Sequence, residues 1–222
     1  MISSVIRAVI FDLDGTLVHS LSGIAQALNT VLERHQLPTH SEQTVRTFIG
    51  DGITKLVERA CPDNYQYEQV TELTKEVSAE YSTTWQQGTK PYPEVCETLK
   101  NLLNSGTKIA VLSNKPHDFC EVMTDFIFPD IPFTAVIGQH QGMPTKPDPA
   151  SALHLAKTLK ACPEEIAFVG DSTIDIATAR HAGMVSIAAT WGYHDLEQLI
   201  SERPDHRIDQ ISELPLILDN NL

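Results

Sequence analysis

Five short apolar runs along the chain predict the strands of a buried parallel sheet. The runs are rich in β-branched residues and stay apolar over almost their whole length, as in strands covered on both faces. Apolar stripes at helical spacing follow them, and two of these stripes end at a glycine, Gly106 and Gly183, where a helix C-terminal cap belongs. This alternation predicts an α/β fold with a doubly wound, Rossmann-like core. The predicted strands are residues 5–11, 109–112, 135–137, 166–169 and 185–189.

The alternation stops over residues 20–87, where apolar positions follow helical spacing only. Prolines and glycines divide this stretch into three apolar stripes, each long enough for a helix. We therefore predict a core made of residues 1–16 and 89–222, with an inserted helical domain over residues 17–88. The connections at 15–17 and 88–93 are predicted hinges, so the insertion is expected to rotate between open and closed forms.

Composition and charge exclude several classes of protein. The chain has 16 basic and 29 acidic residues, a net charge of −13, which argues against nucleic-acid binding. No apolar run approaches the length of a membrane span, and the N-terminus lacks the pattern of a secretion signal. We therefore expect a soluble, cytoplasmic protein with no membrane partner. Four widely spaced cysteines are expected to be ordinary thiols and not zinc ligands: Cys61, Cys96, Cys120 and Cys162.

Two carboxylates directly follow the first predicted strand, in the sequence Asp12-Leu13-Asp14-Gly15-Thr16. Side chains at i and i+2 of an extended segment point to the same side. An aspartate is ionised at neutral pH and can act as a nucleophile without a neighbouring base. A second carboxyl close by can serve as general acid and base. The alternative is a simple turn, because Asp-Gly is a common turn dipeptide.

A second acidic pair, Asp171 and Asp175, follows another predicted strand and is spaced by one helical turn. The alternative for this segment is that Asp171 or Ser172 only caps the helix. If both acidic segments lie at one edge of a sheet, their like charges require a cation, and hard oxygen ligands suit Mg²⁺.

Three further polar residues lie at predicted strand ends or in a stiffened loop. Ser113 and Asn114 end the strand at 109–112 and can hold phosphate oxygens or, alternatively, cap the next helix. Lys146 lies just before Pro147-Asp148-Pro149, so the loop is stiff and the ammonium can be placed rigidly against a phosphate. A lone loop lysine is otherwise an ordinary surface residue.

The order and spacing of these four segments resemble the motifs of the haloacid dehalogenase superfamily of phosphohydrolases, over essentially the whole chain. Asp12–Thr16 resembles the first motif, Ser113 with Asn114 the second, Lys146 the third, and Gly170-Asp171 with Asp175 the fourth. Residues 20–87 resemble the helical cap that the family inserts after its first strand. Stretches such as 47–52, 113–116 and 168–172 resemble the phosphoglycolate phosphatase branch in particular.

The resemblance implies a role for each motif residue. Asp12 would be the nucleophile that carries the phosphoryl group, and Asp14 would protonate the leaving alcohol and then deprotonate water. Mg²⁺ would be held by Asp12, the main-chain carbonyl of Asp14 and Asp171, with Asp175 completing the metal site by orienting a ligand or a metal-bound water. Phosphate oxygens would be held by the remaining motif residues: Gly15, Thr16, Ser113, Asn114 and Lys146.

The predicted function is hydrolysis of a small phosphorylated metabolite, with 2-phosphoglycolate as the favoured substrate. Selection of its carboxylate is expected from the cap residues Arg46, Gly50, Asp51, Gly52 and Lys55, although Arg46 and Lys55 are equally explained as solvated charges. Alternatives within the superfamily are a pyrophosphatase, a nucleotidase, a sugar-phosphate phosphatase or a phosphomutase. Alternatives of another class are a phospho-aspartate signalling receiver, which lacks a large insertion, and an inactive binding protein.

Overall fold

A computed structural model of the protein describes residues 5–220, and it divides into two compact units. One unit is continuous in sequence, Val18–Lys90, and the other is formed by the chain before and after it. The first boundary directly follows the predicted hinge at 15–17, and the second lies within the predicted hinge at 88–93. Among the described residues, no helix has both the length and the apolar character needed to cross a membrane.

The core unit is built on a six-stranded parallel sheet, which confirms the predicted α/β fold. Its strands are β1 (Ala8–Phe11), β4 (Lys108–Pro116), β5 (Ala135–Gln139), β6 (Ile166–Gly170), β7 (Val185–Ala189) and β8 (His206–Ile208). They lie in the order β5-β4-β1-β6-β7-β8, and each hydrogen-bonds its neighbours in parallel. The first strand in sequence is thus at the centre of the sheet, and its four residues are fully buried. Two much shorter strands, β2 (Val18–His19) and β3 (Lys90–Pro91), pair separately.

The strands predicted from apolar runs are all present, with one instructive difference at β4. The run at 109–112 predicted a strand that ends before Ser113, whereas β4 continues to Pro116. Its pairing with β5 changes register between Leu112 and Pro116. A register shift of this kind redirects the side chains that follow it, and here those side chains are polar. The hydrophobic pattern could not reveal this extension, nor the short strand β8.

The inserted unit consists of helices, as its spacing predicted: α1 (Leu21–Arg34), α2 (Glu42–Arg46), α3 (Ile53–Ala60) and α4 (Tyr67–Gly88). The three apolar stripes form its buried face, for example Leu28, Leu56 and Leu73. Gly88 allows close packing of α4 on α1, because a methyl group there would overlap the backbone at Gly23. The very short helix α2 was not predicted.

Six helices accompany the sheet of the core unit: α5 (Val95–Asn104), α6 (His117–Ile127), α7 (Ala150–Leu159), α8 (Thr173–Ala182), α9 (Leu196–Ser201) and α10 (Leu214–Asn220). Buried side chains of α7 and α8 pack on β1 and β6 in one apolar cluster that includes Ile10, Leu155 and Phe168. Gly183 ends α8 in the left-handed conformation, as predicted for a C-terminal cap. All four cysteines are free thiols.

Candidate active site

The carboxyl ends of β1, β4 and β6 lie side by side, because these three strands are neighbours in a parallel sheet. The polar segments that follow β1 and β6, and the polar end of β4, therefore meet at one edge, which is where open α/β sheets bind their ligands. Most of the side chains concerned are buried, including Asp12, Ser113, Asn114, Asp171 and Asp175. Only the loop that carries Lys146 comes from beyond a more distant strand, β5.

Asp12 is the central carboxylate of this edge. One of its oxygens accepts a hydrogen bond from the backbone of Leu13 at 2.7 Å and lies 2.9 Å from the ammonium of Lys146. The pKa of Asp12 is raised to about 6, mainly because the carboxylate is buried. The positive charge of Lys146 lowers this pKa, and the negative charge of Asp175 raises it further. Asp12 is thus a buried carboxylate whose charge the nearby ammonium does not fully balance.

Lys146 lies between two carboxylates and is almost completely enclosed. Its side chain is 2% exposed, and its Nζ lies 2.6 Å from Asp175 Oδ1 as well as 2.9 Å from Asp12 Oδ1. Burial lowers the pKa of Lys146, but the two carboxylates outweigh that effect and raise the pKa above its usual value. The ammonium is therefore charged at neutral pH, and it is not the surface lysine that a loop position would suggest.

Asn114 fixes the loop that carries Lys146. Its side-chain amide donates to the carbonyl oxygen of Lys146 at 3.1 Å and accepts from the amide nitrogen of Lys146 at 2.8 Å. The phosphate contact predicted for Asn114 stays a prediction; in the structure this side chain holds the Lys146 backbone. The alternative in which Ser113 or Asn114 caps a helix is wrong, because β4 continues past both residues to Pro116.

Asp171 is held by donors from two other segments. The hydroxyl of Thr16 donates to one oxygen at 2.8 Å, and the backbone of Tyr193 donates to the other at 2.7 Å. Gly15, with φ of +86°, and Gly192 make room for it, because a methyl group at either position would overlap the Asp171 carboxylate. Burial, followed by the charges of Asp12 and Asp175, raises the pKa of Asp171 well above its usual value.

Thr16 contacts the acidic cluster, while the phosphate contact predicted for it stays a prediction. Its hydroxyl is directed to Asp171, and its backbone amide donates to the carbonyl oxygen of Leu13 at 3.3 Å. The contact with Asp171 joins residues that are 155 positions apart in sequence. Gly15 likewise contributes the space that Asp171 occupies, so both residues shape the acidic cluster.

Asp175 combines a structural role with its place in the cluster. Ser172 caps α8, as the alternative interpretation held, and its backbone and hydroxyl both donate to Asp175 Oδ2, at 3.0 and 2.6 Å. The other oxygen, Oδ1, receives Lys146. A methyl group at Gly170 would overlap this carboxylate. One oxygen of Asp175 thus already contacts a cation, the Lys146 ammonium.

Three carboxylates offer a site for a cation. Asp12, Asp171 and Asp175 each have an oxygen within 4.8 Å of the others, and all three residues are buried. When all three are ionised, they exceed the single ammonium that contacts them, that of Lys146, by two negative charges in the described site. The remaining charge of about −2 and the all-oxygen donor set fit one divalent cation such as Mg²⁺.

Asp14 faces a different lysine from the one that contacts Asp12. Lys115 Nζ lies 3.0 and 3.2 Å from the two oxygens of Asp14, and the two side chains are 6% and 11% exposed. No role was predicted for Lys115, since its partner Asp14 lies 101 positions away in the sequence. Two carboxylates spaced i and i+2 thus contact two different ammonium groups.

The residues of the inserted unit that were predicted to select the substrate lie on or between two short helices. Arg46 is the last residue of α2, and Gly50 and Gly52 both have positive φ angles, 128° and 87°. Asp51 forms an ion pair with Arg59, and Lys55, 55% exposed, forms one with Glu58 at 2.7 Å. For Lys55 these contacts favour the interpretation as a solvated helix charge.

Comparisons with known proteins agree on one family. The model of the haloacid dehalogenase-like hydrolases matches residues 9–189. A phosphoglycolate phosphatase of Aquifex aeolicus is 33% identical over 97% of this chain and 98% of its own length. That of Salmonella typhimurium is 34% identical over 94% and 91%. The crystal structure of a predicted phosphoglycolate phosphatase from Haemophilus somnus, 30% identical, superposes with a TM-score of 0.90 and covers 96% of this chain and 98% of that one.

Proposed function

The chain belongs to the haloacid dehalogenase-like hydrolases, and from this premise we propose that it is a Mg²⁺-dependent phosphatase of small phosphate monoesters. The proposed substrate is 2-phosphoglycolate, and the proposed intermediate is an aspartyl phosphate on Asp12. The observation that carries the proposal is the ammonium of Lys146, held between Asp12 and Asp175 beside Asp171. The names of the similar proteins from Aquifex aeolicus and Salmonella typhimurium support the choice of substrate.

The acidic cluster supports the choice of metal. Mg²⁺ prefers hard oxygen ligands and usually takes only one or two carboxylates from a protein. Asp12 and Asp171 are the best candidates, with the main-chain carbonyl of Asp14. Asp171 accepts its hydrogen bonds from the neutral donors of Thr16 and Tyr193, whereas Asp175 already contacts the Lys146 ammonium at 2.6 Å. When bound, the cation would offset the negative charge shared by the nucleophile and the phosphate.

In the first half of the proposed reaction, a carboxylate oxygen of Asp12 forms a bond to phosphorus. The bond from phosphorus to the leaving oxygen breaks, and Asp14 gives its proton to that oxygen, so that an alcohol departs. Lys146 can assist at this stage, because an ammonium has three donors and only two go to Asp12 and Asp175. The third donor and the hydroxyl of Ser113 would hold phosphate oxygens.

In the second half, a water oxygen forms a bond to phosphorus and Asp14 takes up a proton from that water. The bond between phosphorus and Asp12 breaks, which releases inorganic phosphate and restores the carboxylate. Asp14 thus returns to its starting state once per cycle. In the described structure Asp14 contacts Lys115, whereas Asp12 and Asp175 contact Lys146.

Phosphate release from a substrate panel tests the proposal. The panel contains 2-phosphoglycolate, sugar phosphates, nucleotides and pyrophosphate, each with Mg²⁺ and with a chelator. We expect release that requires Mg²⁺ and that is highest for 2-phosphoglycolate. A clear preference for pyrophosphate or nucleotides would exclude 2-phosphoglycolate as the substrate but would remain consistent with a phosphatase.

The nucleophile is tested by Asp12→Asn, which should abolish release because an amide neither attacks phosphorus nor carries charge. Asp130→Asn is the matched control, since Asp130 is a surface residue with an 80% exposed side chain. Activity of a folded Asp12→Asn protein within about tenfold of the unmodified protein would overturn the mechanism.

A further inference from the structure

The contact between Lys115 and Asp14 is a buried ion pair that the motif residues alone do not explain. The ammonium contacts both oxygens of Asp14, and both side chains are largely hidden from solvent. An ammonium and a carboxylate lose much hydration when they are buried, so such a pair persists only where the geometry is good. The pair therefore restricts the orientation of the Asp14 carboxyl group.

Lys115 is itself anchored at its backbone and along its side chain. Its carbonyl oxygen accepts a hydrogen bond from the thiol of Cys120 at 3.6 Å, and a methyl group at Gly138 would overlap that carbonyl. The Nζ atom also lies 6.0 Å from the ring centre of Phe119, at the distance of a cation–π contact. Lys115 also lies within the segment of β4, between Leu112 and Pro116, over which the pairing with β5 changes register. The lysine is thus presented from a fixed position on the sheet edge.

We infer that Lys115 is a positioning residue for proton transfer: through its ion pair it holds the Asp14 carboxyl group towards the leaving oxygen. This inference rests on the proposed function, in which Asp14 is the proton donor and acceptor. When Asp14 carries the proton, the ammonium of Lys115 can still donate a hydrogen bond to the oxygen that is not protonated, so the contact orients the group in both protonation states. Orientation matters because small displacements of a catalytic group reduce rates strongly.

A competing role for Lys115 is to bind a second anion on the substrate, such as the carboxylate of phosphoglycolate. The two roles make different demands on the leaving group. A proton donor is needed when the leaving oxygen is a strongly basic alkoxide, whether or not the substrate carries a second charge. It is hardly needed for p-nitrophenyl phosphate, whose leaving phenolate is stable. A residue that binds the second anion, in contrast, matters only for a substrate that carries one.

Three substrates therefore separate the possibilities: 2-phosphoglycolate, ethyl phosphate and p-nitrophenyl phosphate. The measured quantity is kcat/KM, which covers steps up to departure of the alcohol and leaves out hydrolysis of the aspartyl phosphate. The variant Lys115→Met removes the charge and keeps an unbranched apolar chain. Lys100→Met is the matched control, because it removes a surface lysine, 54% exposed, whose Nζ lies 3.9 Å from a carboxylate oxygen of Asp130.

For Lys115→Met we expect kcat/KM to fall about tenfold to a hundredfold with both alkyl substrates, and by less than about threefold with p-nitrophenyl phosphate. A loss confined to 2-phosphoglycolate would overturn the inference and show that Lys115 binds the carboxylate of the substrate. An equal loss with all three substrates, or none, would show that the pair is only structural. Lys100→Met should leave all three values unchanged.

A double variant tests whether Lys115 acts through Asp14. In the Asp14→Asn background, Lys115→Met should cause no further loss with the alkyl substrates, because the group that it orients is already absent. Additive losses would contradict the inference. Lys115→Arg, which keeps a charge able to bind a carboxylate, should restore part of the alkyl activity and guards against a Lys115→Met protein that fails to fold. If the unmodified protein releases no phosphate from any substrate, the proposed function itself fails. If it is active and Lys115→Met lowers kcat/KM equally for all three substrates, only the role of Lys115 fails.

Discussion

Replacement of Lys146 by methionine should destabilise the protein in a way that depends on pH. The substitution keeps an unbranched chain but removes the ammonium that contacts Asp12 and Asp175. Asp171 belongs to the same cluster, so three buried carboxylates would then lie together without that charge. Loss of one partner from a buried ion pair typically reduces the free energy of unfolding by about 3–5 kcal/mol. For a chain of this size, the melting temperature should fall by roughly 6–20 °C.

The sign of the pH dependence follows from the raised pKa of Asp12. Its pKa in the folded protein is about 6, above the value of 3.8 for an exposed aspartate. Such a group stabilises the folded state fully below its unfolded pKa, and this contribution is lost as pH rises through about 6. Removal of Lys146 takes away a charge that lowers this pKa, so the loss becomes larger. The difference in melting temperature between the unmodified protein and Lys146→Met should therefore be small near pH 4 and reach its full size near pH 8.

The assay is thermal unfolding of both proteins in a chelator at a series of pH values. Because the two proteins are compared at each pH, the loss of stability in acid that they have in common cancels. Lys157→Met, in the last turn of α7, is the control for loss of a lysine outside the site. A difference in melting temperature that is the same at pH 4.5 and pH 8 would refute the electrostatic reasoning and leave only a packing effect of the substitution.

Three further predictions test other parts of the site. Asp171→Ala should sharply weaken the Mg²⁺ dependence of phosphate release, measured by Mg²⁺ titration; an unchanged titration would mean that Asp171 contributes only to local structure. Asn114→Ala should lower kcat about tenfold or more, because the loop of Lys146 loses both hydrogen bonds of its clamp; unchanged kcat would show that the loop is held by its prolines. Arg46→Ala should lower kcat/KM for 2-phosphoglycolate about ten- to a hundredfold more than for an uncharged aryl phosphate, and equal losses would show that Arg46 does not contact the carboxylate.

The sequence pattern was sufficient to predict the parallel sheet, the helical insertion and the charged residues at the strand ends. Buried parallel strands have a clear hydrophobic signature, and the polar residues directly after them were correctly expected to meet at one edge. Asp12, Asp171 and Asp175 illustrate this, since their oxygens do lie within one small cluster. The sequence thus indicated which groups come together.

The partners of each group were harder to predict, because they depend on contacts between distant segments. Lys115 pairs with Asp14 across 101 positions, and Asn114 reaches Lys146 across 32. Neither pairing has a local signal: both polar residues follow an apolar run whose strand extends further than its hydrophobicity shows. The same holds for Thr16, whose partner Asp171 is supplied by a strand near the other end of the chain. Side-chain orientation after a register shift is a property of the packed sheet.

The central position of β1 has a consequence for synthesis of the chain on the ribosome. Its neighbours β4 and β6 begin at Lys108 and Ile166, so the first strand to emerge waits for about 150 further residues before both of its edges are paired. At 5–20 residues per second this wait lasts roughly 8–30 s. The inserted unit, Val18–Lys90, is complete long before then and can pack internally while β1 is unpaired. An unpaired apolar strand is prone to aggregation, so a nascent chain stalled before β6 should depend on chaperones far more than the released protein.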